Sequence, residues 1–174
     1  TRDHYDWDRF FKYLPVVSAD EEVTGREILF YRDWIRHYRY DDFWKKVSNY
    51  GHFHEMDLPI LQISGWLDAH AKSLFSNYEG LQKDGTQRAI RLQKVVVGPW
   101  RHTDRLEQKA GVLCFGSESV VDFYELYLRW MDHWLKNIEN AVQEEPPLKL
   151  FTMGVNRCRT ATKWPLPETQ WILF

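Results

Sequence analysis

Three features of the sequence predict an α/β fold with a parallel sheet. Two short apolar runs, LPILQIS at 58–64 and KVVV at 94–97, read as strands buried on both faces. Between them Ala69 to Lys83 has helical spacing, so the unit runs strand, helix, strand, the crossover that parallel pairing requires. Each run is followed closely by a residue suited to acid–base chemistry, Asp68 after the first and His102 after the second. Ends of strands in open α/β sheets are where such folds hold their sites.

Composition narrows the function. Of 174 residues, 44% are hydrophobic and 28% charged, which is enough for one ordinary core and argues against disorder. The net charge of −2 and pI near 6.4 leave no basic surplus, so nucleic acid is not an expected partner. Cys114 and Cys158 are too few for a disulfide framework and lack CxxC spacing, so two free buried thiols are expected. There is no run of about 18 apolar residues and no signal-peptide pattern at the start, which leads to the expectation of a soluble, cytoplasmic protein without a membrane partner. The start at Thr1 without Met and the apolar end TQWILF lead to the further expectation of a piece cut from a longer protein.

In chain order, Thr1 to Leu14 mixes Tyr5, Trp7, Phe10, Phe11 and Tyr13 with charges, and PVV with SADEEVTG reads as a loop. Ile28, Leu29, Trp34, Ile35 and Tyr38 recur at helical spacing, predicting an amphipathic helix from Gly25 to about Arg39. A second short helix is predicted at Asp42 to Val47, with Asp41 as its N-cap. The helix after the first strand carries Leu74, Phe75, Tyr78 and Leu81 inward and stops at Gly85. Thr103 to Gly116 is polar and reads as a loop. Ser117 to Lys136 predicts the longest helix, with Val121, Tyr124, Leu128, Met131 and Leu135 as its apolar face and Ser117 or Ser119 as its cap. Asn137 to Pro147 reads as an acidic linker, and LKLFTMG and TQWILF as strands of a new domain beginning near Pro146.

A strand-end carboxylate and a strand-end imidazole, 34 residues apart, fit the last two members of a nucleophile–acid–histidine series. In that chemistry the acid orients the imidazole and stabilises its charged form while the imidazole takes the nucleophile's proton. The nucleophile is missing: no GxSxxG elbow occurs, Ser64 lies inside the first strand, and Ser117 and Ser119 lie at a helix start. His52 and His54, with Glu55 and Asp57, invite a metal reading, but their spacing fits no defined motif and a solvated loop accounts for them. Trp66, Trp100, Trp130 and Trp134 line a pocket or, more simply, fill a core.

The segments YDDFW, LPILQISGWLDAH, VVVGPWRH, FYELYLRWMDHWLKN, PPLKLFTMGVNRCR and WPLP, in this order, resemble the family of cocaine esterase, Xaa-Pro dipeptidyl-peptidases and α-amino-acid ester hydrolases. The resemblance implies a serine hydrolase for esters or amides, without cofactor or metal, whose partner is a small ester or peptide; a homo-oligomer is compatible with it. It divides the chain into a helical cap segment at 1–56, the C-terminal part of an α/β-hydrolase core at 57–140, and a linker with the start of a β jelly-roll at 141–174. It makes Asp68 the catalytic acid and His102 the general base, with Trp66 and Trp100 supporting the site. Ala69 and His70 fall where members carry acyl-pocket residues. Asp41 and Asp42 match the family's YDD motif, where an acidic group holds a substrate ammonium in the aminopeptidase-like branch or caps a helix. The alternative is a relative that kept the fold as a non-catalytic binding module.

Overall fold

A computed structural model of the chain describes residues 6–102 and 107–173. His4, Tyr5, the Thr103 to Leu106 part of the expected loop and Phe174 lie outside them. The chain forms two compact units, Thr1–Asn49 and Tyr50–Phe174.

The first unit contains helices only among its described residues: α1 (Trp7–Lys12), α2 (Ala19–Thr24), α3 (Leu29–Arg36) and α4 (Asp42–Lys45). The run SADEEVTG, expected as loop, is therefore the helix α2. Asp20, Glu21 and Glu22 fill its first turn, where the helix dipole favours negative charge, and Gly25 closes it at φ 73°. That closure delays the amphipathic helix expected from Gly25, which begins at Leu29. Asp41 caps α4 as expected, accepting from Phe43 N–H at 3.0 Å. Asp20 ties α2 to α3: its buried carboxylate accepts from Ile28 N–H at 2.7 Å and from Arg32 Nε at 2.9 Å.

The second unit begins with a connection that the sequence reading gave to the helical segment. Phe53 is buried against Leu81 and Ala89, and a Cβ on Gly80 would stand 2.2 Å from its ring. The boundary between the two compact units lies at 49/50. Next come β1 (Ile60–Gly65), α5 (Ala71–Asp84), the unexpected short helix α6 (Gln87–Arg91) capped by Thr86, and β2 (Gln93–Gly98). A two-stranded hairpin, β3 (Lys109–Ala110) with β4 (Leu113–Cys114), interrupts the expected loop and leaves Cys114 exposed, not buried. Then follow α7 (Phe123–Lys136), β5 (Leu148–Thr152) and β6 (Arg157–Ala161).

The sheet has the order β1-β2-β5-β6, with the first two pairings parallel and the last antiparallel. Alternation along β2 divides the core. Val95 and Val97 meet Leu74 and Tyr78 of α5 on one face, and Val96 meets Phe123 and Leu126 of α7 on the other. β2 is buried throughout, as expected, but β1 is an edge strand and most of it is only half-buried.

Five expectations are corrected here. The long helix starts at Phe123, because Asp122 accepts from Glu125 N–H at 3.0 Å and Val120 is extended. Its buried residues are Phe123, Trp130 and His133, set by contact with the sheet, so Tyr124, Leu128 and Leu135 are exposed. The segment after Pro146 does not open a separate sheet: β5 pairs with β2, Val95 with Leu148 and Val97 with Leu150. Nor is the preceding stretch a loose linker, since Val142 is buried and Glu145 bridges Arg129 of α7, at 2.6 Å, and buried Lys94 of β2. Finally, TQWILF is not a strand over 169–173; no neighbouring strand pairs with it, and Trp171, Ile172 and Leu173 are exposed.

The ends of β1 and β2 are locked together by Trp100. Gly65 and Gly98 stand opposite each other in register, and a side chain on either would collide with Trp100. A Cβ on Gly65 would lie 1.9 Å from the Trp100 carbonyl oxygen, and one on Gly98 2.2 Å from its indole. Trp66 N–H donates to Gly98 O at 2.8 Å and Leu67 N–H to Trp100 O at 3.2 Å, so the turn after β1 is tied to the end of β2 and to the turn beyond it.

Two outcomes follow from this packing. Gly98→Ala should lower the stability of the protein by about 2 kcal/mol through overpacking against the indole, read as a lower urea midpoint at unchanged slope; an unchanged midpoint would show that Trp100 yields freely. Burial raises the Asp20 pKa, but the Arg32 hydrogen bond and the backbone N–H groups outweigh it and hold the carboxyl below its ordinary value. The stability it contributes is then complete above about pH 4 and lost as pH falls through the lower folded value. Asp20→Asn should accordingly destabilise near neutral pH, with a difference from wild type that narrows on acidification below pH 4; a constant difference would contradict the coupling.

Candidate active site

Both candidate residues sit in turns that leave the same end of neighbouring parallel strands. After β1 the chain turns at once: Asp68 N–H donates to Gly65 O at 3.0 Å, and Ala71 N–H to Asp68 O at 3.1 Å. The Asp68 side chain folds over its own turn and accepts from His70 N–H through Oδ1 at 2.9 Å, the local bond for which Asp is favoured in turns. After β2, Pro99 and Trp100 are buried and His102 emerges beside Asp68, with its Nδ1 3.1 Å from Asp68 Oδ2.

The two groups have opposite environments. The Asp68 side chain is 2% exposed and that of His102 62% exposed. Burial raises the Asp68 pKa, but the hydrogen bonds from His70 N–H and His102, with the charge of both imidazoles, overcome it and hold the carboxyl below its ordinary value. Asp68 is thus an ionised, fixed acceptor at the inner end of the pair, and the imidazole lies at the outer end, in reach of solvent. A buried carboxylate that orients an exposed imidazole through Nδ1 is the arrangement that leaves Nε2 to exchange protons with a reacting group.

The remaining predicted residues divide. The His70 ring stands 5.3 Å from the His102 ring, edge to face, so it belongs to the site. One ligand atom from each of Asp68, His70 and His102 lies within 4.8 Å of the others, and among the described residues no further group of three such residues converges in this way. In particular His52 and His54 lie on an exposed turn beside Glu55, His52 Nδ1 at 3.0 Å from its carboxylate, without a third ligand. Trp100 lies beneath the dyad: it is 2% exposed, donates to Ser119 O at 2.6 Å and packs edge-on against Phe123, so its ring is part of the core. Trp66 donates to Phe151 O at 2.6 Å and stacks on Phe75. It also lines an apolar cavity of about 310 Å³ with Phe151, Met153 and Trp164.

Asp41 and Asp42 both belong to the helical unit. The Asp41 carboxylate is already committed, to Phe43 N–H and to His37 Nδ1 at 2.6 Å, and Asp42 pairs with Lys45 at 2.8 Å. Capping is what Asp41 visibly does. A larger cavity of about 410 Å³, between α7 and the sheet, is walled in part by Lys94, Arg129 and Glu145 and includes neither Asp68 nor His102; Lys94 and Arg129 both pair with Glu145. What sequence reasoning missed is the dependence of the dyad on Gly65 and Gly98. The signal was present, as the glycines of GWLD and GPWRH, but its meaning needs the register between the strands.

The model of the X-Pro dipeptidyl-peptidase (S15 family) matches residues 3–104. Cocaine esterase of Rhodococcus sp. (strain MB1 Bresler) is 24% identical over 161 residues, which are 90% of this chain and 27% of that protein. The crystal structure of an aminopeptidase from the marine sediment archaeon Thaumarchaeota archaeon superposes with a TM-score of 0.69 at 21% identity, over 95% of this chain and 28% of that one. A CocE/NonD family hydrolase from Staphylococcus aureus gives 0.55 at 17% identity, over 93% and 26%. The chain spans about a quarter of the length of these relatives, and the structural likeness is one of fold, a mixed α/β architecture shared with hydrolases. With a family model covering residues 3–104, more than half of its length, the chain belongs to the X-Pro dipeptidyl-peptidase (S15) family.

Proposed function

We propose that this chain supplies the acid and the base of a serine hydrolase acting on esters or amides, of the acyl-esterase or dipeptidyl-peptidase type. The observation that carries the reading is the 3.1 Å contact between buried Asp68 and exposed His102 at the ends of adjacent parallel strands. In this role His102 takes the proton of a serine hydroxyl as it attacks the substrate carbonyl and returns it to the leaving group, while ionised Asp68 fixes the ring and stabilises its charged form. His70, whose ring stands beside that of His102, is the side chain of this unit best placed to border substrate. The serine and the donors for the developing oxyanion belong, on this reading, to sequence other than these 174 residues, which contain no nucleophile elbow. The C-terminal β jelly-roll of the family pattern begins, on this reading, later than Pro146, since β5 is already used by the core sheet. Support for hydrolase chemistry comes from the family and from the relatives, cocaine esterase among them.

The test uses the whole protein with p-nitrophenyl acetate. His102→Ala should abolish most turnover, and Asp68→Asn should reduce it by roughly 10³–10⁴-fold while the protein stays folded. Unchanged turnover in both variants would overturn the assignment and place the chemistry on other residues, and absence of turnover in the wild type would leave the fold as a non-catalytic module. The chain by itself should show no turnover that depends on Asp68 or His102, since an acyl-enzyme needs a nucleophile; a clear loss of activity in its His102→Ala variant would place the nucleophile inside it.

A further inference from the structure

We infer that Asp68, His70 and His102 together form a binding site for a zinc-class divalent cation, and that such an ion, once bound, switches the dyad off. Two imidazoles and one carboxylate are a ligand set that zinc accepts, with bonds of about 2.0–2.2 Å and a fourth position left to water. Tetrahedral bonds of that length hold ligand atoms about 3.3–3.6 Å apart. Asp68 Oδ2 and His102 Nδ1, at 3.1 Å, are already near that separation. The third ligand requires only a small closure, since one atom from each residue lies within 4.8 Å of the others and the His70 and His102 side chains are at the surface. Asp68 is held from behind by His70 N–H on Oδ1, the outer-sphere hydrogen bond that orients a ligating carboxylate.

The functional consequence follows from the tautomer. A neutral imidazole has one N–H and one lone pair. With Nδ1 facing the carboxylate the proton sits there and the Nε2 lone pair is available as a base. An ion inserted between Asp68 Oδ2 and His102 takes the Nδ1 lone pair, and the ring's proton moves to Nε2. Nε2 then cannot accept a proton from a hydroxyl, so the ion blocks the base without touching substrate. His70 is what separates this site from a bare acid–histidine pair: without it the ion would have two protein ligands instead of three.

The effect on turnover rests on the triad reading above, but binding does not, and the experiment separates them. Zinc alone is titrated into the whole protein in competition with a chromogenic chelator at neutral pH, and ester turnover is followed in parallel. The expectation is one equivalent bound, with affinity falling at least about tenfold in His70→Asn and in His102→Asn and retained in a His52→Asn, His54→Asn double variant. Zinc should inhibit wild type reversibly with chelator, at the concentration at which it binds, and inhibit His70→Asn, relative to that variant's own zinc-free rate, only at a concentration at least about tenfold higher. Absence of saturable binding, or binding untouched by His70→Asn, overturns the site. Zinc binding with the expected His70 dependence in a protein that shows no zinc-free turnover supports the site and counts against the triad reading instead.

Discussion

The dyad exists because β1 and β2 pair in a register that brings Gly65 opposite Gly98, with the backbone and ring of Trp100 filling the space where their side chains would be. Parallel pairing sends both chains out of the same sheet edge, and the crossed hydrogen bonds from Trp66 and Leu67 fix how they leave it. Asp68 is three residues past Gly65 and His102 four past Gly98, so a shift of one residue in this register would separate the carboxylate from the imidazole. The tryptophan serves the site without lining it.

The sheet that carries these turns is held on both faces and at its far end. α5 covers Val95 and Val97, α7 covers Val96, and Glu145 joins Lys94 of β2 to Arg129 of α7. A buried lysine in a central strand is costly unless paired, which accounts for the ordered course of 137–147. Burial raises the Glu145 pKa, yet Lys94 and Arg129 together hold it below its ordinary value, so the bridge is an ion pair at neutral pH. This bridge binds the stretch before β5 to the core and brings β5 into the same sheet.

Much of this was legible in the sequence. The apolar runs, the helical period of Leu74, Tyr78 and Leu81, and the position of Asp68 and His102 just past two strands all depend on local pattern, and local pattern was enough to single out the carboxylate and the imidazole that the fold brings together. What was not legible depended on partners distant in sequence. Nothing in LKLFT says that it will pair with β2 instead of opening a new sheet, because a strand's neighbours are not encoded in its own alternation. The apolar stripe of α7 was read at the right period but assigned to Tyr124 and Leu128, because the helix carries aromatic and aliphatic residues on more than one face and contact with the sheet selects Phe123 and Trp130. The run SADEEVTG looked like loop for its polarity, although an acidic first turn and a closing glycine are helix signals. The resemblance gave Trp100 a supporting place at the site without saying which way its ring points; it turns inward, towards Phe123.

The central claim is that Asp68 and His102 act as one device, the carboxylate working only through the imidazole. A double-mutant cycle on ester turnover by the whole protein measures this directly. If the claim holds, Asp68→Asn combined with His102→Ala is no slower than His102→Ala alone, because the acid has nothing left to orient. If the two losses multiply, the residues act independently and the 3.1 Å contact between them is structural only.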